Sequence, residues 1–66
     1  MNATVTYRGR TYKSVQVQAP FDADRESVID AALVAARETR GSLFGINVST
    51  SNGDNGFIWH VTLNTD

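Results

Sequence analysis

The chain has 66 residues, seven acids against six bases, one histidine and no cysteine, for a net charge of −1. That size allows one domain with marginal stability, since a chain this short buries only about 60% of its unfolded surface. Lack of cysteine excludes disulfide staples and thiolate chemistry, and the near-neutral charge gives no bulk attraction to nucleic acid.

Hydrophobic residues make up 41% of the sequence, enough for a folded core. No apolar run approaches the roughly 20 residues needed to span a bilayer, so no membrane partner is expected. Met1-Asn2-Ala3-Thr4 has neither a basic start nor an apolar stretch, so it does not read as a signal peptide, and the expected location is the cytoplasm.

Residues 3–7 alternate and are rich in β-branched types, which predicts a strand. Arg8-Gly9-Arg10 reads as a turn, and residues 11–18 alternate again. A two-residue turn would pair Val5 with Tyr12 and set Val15 and Val17 on the opposite face. A three-residue turn pairs Val5 with Lys13 and groups Val5, Val15 and Val17. A one-residue slip reverses every side chain, so a three-residue turn or a bulge is expected.

Pro20 cannot donate to a ladder and ends the second strand. A helix is predicted over Arg25–Arg40, with Asp24 as a carboxylate N-cap, acids suiting the positive end of the dipole, and Gly41 as a left-handed stop. Its buried stripe is expected at Val28, Ile29, Ala32, Leu33 and Ala36. Residues 42–50 read as a third strand with Phe44, Ile46 and Val48 inward. Ser51 to Gly56 is a polar turn, and residues 57–64 form a fourth strand with Phe57, Trp59, Val61 and Leu63 inward.

The order β-β-α-β-β predicts an α+β domain over residues 1–66: a four-stranded antiparallel sheet with one helix packed on one face. The other face is expected to be polar, with Tyr12, Leu43, Ile58 and His60 among its residues. If contiguous, Tyr12, Ile58 and His60 would form a second surface for a partner or a dimer.

No catalytic, metal or cofactor site is predicted. His60 has no second histidine or cysteine as metal partner, and no serine with an oriented acid stands at a diagnostic spacing. The segment Ser51 to Gly56 lacks the terminal glutamate of a calcium loop. Arg8 and Arg10 beside Tyr7, Tyr12 and Lys13 combine bases with aromatics, a pattern of nucleic-acid binding but also a common way to keep an edge soluble. Asp22, Asp24, Glu26 and Asp30 gather at the helix start. They serve as capping and a solvated face, or as an acidic patch for a protein with a basic surface, extended by Asp54 if the fold brings it near.

In size, near-neutral acidity and compact α+β layout, the chain resembles the small phage-encoded anti-CRISPR proteins, a group without a shared motif. The resemblance implies a non-enzymatic inhibitor that occludes a surface of a CRISPR effector complex, in some cases as a DNA mimic; the chain is expected to be a monomer or a homodimer. Asp22, Asp24, Glu26 and Asp30 are the residues compatible with mimicry.

Over residues 12–64, Tyr12-Lys13-Ser14-Val15, then Ala32 to Thr39, then Trp59-His60-Val61-Thr62-Leu63 is similar to the strand, helix and two strands of dodecin. That resemblance implies a flavin-binding dodecamer. The strand after the helix, Leu43-Phe44-Gly45-Ile46, lacks the tryptophan that stacks on flavin in that family, and an extra strand precedes the pattern.

Overall fold

The computed structural model describes residues 1–65. Four strands and one helix follow in the order β1 (Asn2–Arg8), β2 (Tyr12–Ala19), α1 (Arg25–Ala36), β3 (Leu43–Asn52) and β4 (Phe57–Thr65), with a single 3-10 turn at Arg40–Ser42. All pairings are antiparallel, and the spatial order is β1-β2-β4-β3. The predicted α+β architecture is therefore the observed one. β1 and β3 form the two edges, and β4, last in sequence, lies between β2 and β3.

The core is the contact between α1 and the central strands. Val15, Val17 and Ala19 of β2 and Val61 and Leu63 of β4 meet Val28, Ile29, Ala32, Leu33 and Ala36 of α1, and all ten are buried. The five helical residues are those the 3.6-residue spacing predicts. Removing each large side chain from water stabilises by about 1.5–3 kcal/mol. The small alanines let α1 lie low over β1 and β2 and reach β4, but it hardly touches β3.

The first hairpin has both expected devices. Its loop spans Gly9-Arg10-Thr11, and a bulge lies between Val5 and Tyr7. Val5 pairs with Val15, while Lys13 faces Arg8, so the expected Val5–Lys13 pairing is corrected; Val5, Val15 and Val17 nevertheless share the helix side. The extra residue in β1 absorbs the difference in count.

Two further expectations are corrected. The helix ends at Ala36, not Arg40, because Arg37 itself turns left-handed at φ 57°. The amides of Arg37 and Glu38 then bond the carbonyls of Val34 and Leu33, closing the last turn in a Schellman arrangement. Gly41 lies in the following 3-10 turn with an ordinary backbone. In β3, a bulge between Leu43 and Gly45 moves Phe44 out of the inward row, and its side chain is 78% exposed. Leu43, expected on the open face, instead packs against the core beside Ile46 and Val48.

Asp24 occupies the N-cap with extended backbone, but its carboxylate makes no capping hydrogen bond, which corrects that part of the expectation. The hydroxyl of Ser27 still holds the Asp24 carboxyl below its ordinary value.

Candidate functional site

Two regions carry the candidate residues: the acid-rich end of the molecule and the uncovered face of the sheet. The first is built by topology. β2 runs toward Ala19 and Pro20, the chain turns through an Ala23 amide to Pro20 carbonyl bond of 3.1 Å, and α1 starts there. The β3–β4 turn arrives at the same place, closed by the Gly53 amide donating to the Gly56 carbonyl at 2.9 Å. The rings of Phe21 and Phe57 meet edge to face at 5.0 Å and tie the two segments together.

Asp22, Asp24 and Asp54 therefore lie at one end, exposed and without an ion pair among the described residues. Asp54 and Asn55 line an open hollow there with Gln18, Pro20 and Asn52. Arg25 opens the helix at this same end. Glu26 and Asp30 behave differently. The guanidinium of Arg40 reaches both, at 2.6 Å and 3.2 Å, and all three side chains are about half exposed or more. The four acids expected to act together are thus two free carboxylates and two that share a cation from their own chain.

Three of the bases sit at the far end. Arg8 and Arg10 flank the β1–β2 turn, and Arg37 follows the helix. Helix and strand each run about 18–27 Å, so the ends are well separated relative to a screening length of about 8–10 Å. Lys13 leaves the aromatic–basic tip altogether. Its ammonium donates to the Ala36 carbonyl at 2.9 Å and to Glu38 Oε1 at 2.7 Å, capping the helix from below. Among the described residues, the tip keeps Arg8, Arg10 and the stacked Tyr7–Tyr12 pair, whose centroids are 5.2 Å apart. Partial burial in the stack, then the neighbouring Tyr7, raise the Tyr12 phenol above its ordinary value.

The uncovered face does not gather the second set of expected residues. Ile58 and His60 are neighbours on it, opposite Gln18 and Gln16. Tyr12 faces Asn64 at the other end of the same strand pair, stacked on Tyr7. His60 Nε2 lies 3.0 Å from Ser51 Oγ, a contact missed in the sequence because it is a diagonal across the β3–β4 pair. Among the described residues no acid pairs with His60, so the contact with Ser51 stands without a carboxylate to orient the imidazole as in a triad. Among the described residues, no group of three or more metal-ligating side chains forms, and no helix is long and apolar enough to cross a membrane.

Comparison with protein-family models, with curated proteins and with solved structures finds no match to this chain.

Proposed function

We propose that the chain is a non-enzymatic protein-binding module that inhibits by occlusion. Its acid-bearing end would sit on the basic surface of a nucleic-acid-handling protein, with a CRISPR effector complex as the leading candidate. One observation supports this reading: Asp22, Asp24 and Asp54 are exposed at one end and without an ion pair among the described residues, with Arg25 the one base opening the helix there, while Arg8, Arg10 and Arg37 lie at the other end. Such segregation orients approach to a basic groove and presents carboxylates where a phosphate backbone would lie. Glu26 and Asp30 contribute less than the sequence suggests, because Arg40 offsets them.

The test uses purified CRISPR effector complexes immobilised on a sensor, with and without target DNA. Binding should compete with DNA and weaken as salt rises. Asp22→Lys, Asp24→Lys and Asp54→Lys combined should abolish it while the circular dichroism spectrum stays unchanged. Binding that survives the triple reversal would discard this end as the contact; no binding to any effector would discard the partner class. The alternative reading, a flavin-type ligand site of dodecin kind, gains nothing from the sheet face, where Tyr12 stands apart from Ile58 and His60.

A further inference from the structure

β3 is an edge strand with three unusual properties in combination. Among the described residues no strand pairs with its outer side, since β4 is its one neighbour in the sheet. Its ten residues, Leu-Phe-Gly-Ile-Asn-Val-Ser-Thr-Ser-Asn, include no charge and no proline, the usual guards of a free edge. Its helix-side residues also lack a roof. Leu43, Ile46 and Val48 are only half-buried, and Phe44 projects from the bulge at the strand's start. β1 contrasts with it: the other edge carries Arg8 and has α1 above it.

We infer that β3 is the interface of a homodimer, pairing antiparallel with β3 of a second copy to form a continuous eight-stranded sheet. Charge decides the occupant. A charged edge would select an oppositely charged strand and repel itself, whereas an edge without charge meets its own copy with no like-charge contact. A two-fold axis perpendicular to the sheet keeps both helices on the same side. Each half-bare Ile46 and Val48 then gains an apolar cross-strand neighbour on the side its own fold leaves open. The β3 ladder is regular from Gly45 to Asn52, and with the axis at Asn47, where Ile46 faces Val48 of the copy, the residues from Gly45 to Ser49 pair over roughly 17 Å of backbone. Only the Asn52 end of β3 approaches the acid-bearing end, and no acid takes part in the pairing, so the interface stands or falls independently of the inhibitor reading.

Sedimentation velocity over a concentration series should give twice the chain mass at high concentration. Asn47 and Ser49 are exposed on the open face of β3, so charges there leave the core alone. Asn47→Lys with Ser49→Lys should yield a folded monomer, as should Asn47→Glu with Ser49→Glu. Mixing the two variants should restore a dimer of mixed composition. A wild-type protein that stays monomeric at millimolar concentration would overturn the inference. So would a dimer that both double variants leave intact, since its interface would then lie elsewhere.

Discussion

Lys13 of β2 and Glu38, two residues beyond the helix, meet at 2.7 Å, and the same ammonium donates to the Ala36 carbonyl at the end of α1. This pairing anchors the helix to the sheet at its C-terminal end and answers a carbonyl that α1 cannot satisfy itself. Ser42 adds a hydroxyl to the other Glu38 oxygen at 3.1 Å. Lys13→Met keeps the apolar stem but removes the charge, and should cost about 1–2 kcal/mol in urea unfolding.

The same contacts set an acid limit. The Lys13 hydrogen bond first, then that of Ser42, hold the Glu38 carboxyl below its ordinary value. A group lowered in the folded state contributes fully above its unfolded value, about 4.3 for glutamate, and loses that contribution as pH falls through the folded value. Stability should therefore drop as pH descends from the ordinary glutamate range. Glu38→Gln should be less stable at neutral pH and show a flatter acid limb in thermal melts. An acid limb of unchanged steepness would remove Glu38 from the account.

Gly56 is required by close packing, and not only by its turn. A Cβ there would lie 2.0 Å from the Ala19 carbonyl oxygen and 3.0 Å from the Pro20 Cα, both backbone atoms. Gly56→Ala should destabilise by at least about 2 kcal/mol, since neither neighbour can rotate away. Gly41→Ala is the matched control: a Cβ there meets nothing within 4 Å. Chemical denaturation of the two variants side by side gives the comparison, and equal midpoints would contradict the packing argument.

Arg37 holds a left-handed backbone that an arginine adopts at a cost. Arg37→Gly should raise stability by about 0.5–1 kcal/mol, less the extra entropy of an unfolded glycine. A loss of stability would show that the arginine side chain contributes something at the far end that its exposure conceals.

These residues also mark what the sequence could and could not announce. Val28, Ile29, Ala32, Leu33 and Ala36 are legible because burial on a helix follows a local period, and Val61 and Leu63 because strand alternation does. The helix stop was not legible: Gly41 carries the usual signal, yet the αL position fell on Arg37, whose sequence gives none. Leu43-Phe44-Gly45-Ile46 alternates equally well in two registers, and only pairing with Asn64 and Thr65 selects the one with a bulge. For the candidate site, the acids themselves were visible. Their partition was not, because Arg40 lies 10 and 14 residues from Asp30 and Glu26 and its return along the helix depends on that early stop.

Arg40 gives the sharpest separation between stability and function. Its pairs with Glu26 and Asp30 are half exposed, so solvent screening leaves them little weight in folding. Asp30 first, then Glu26, raise the guanidinium above its ordinary value, and it stays charged throughout the accessible range. Arg40→Ala should leave the thermal midpoint nearly unchanged. It should also uncover two carboxylates on α1 close to Asp22 and Asp24, deepening the negative potential of that end. If a basic partner reads this end, the variant should associate faster, with a steeper salt dependence of the on-rate, both measurable by stopped flow. Slower association would mean that Arg40 itself touches the partner, and an unchanged rate at low salt would place the contact surface away from α1.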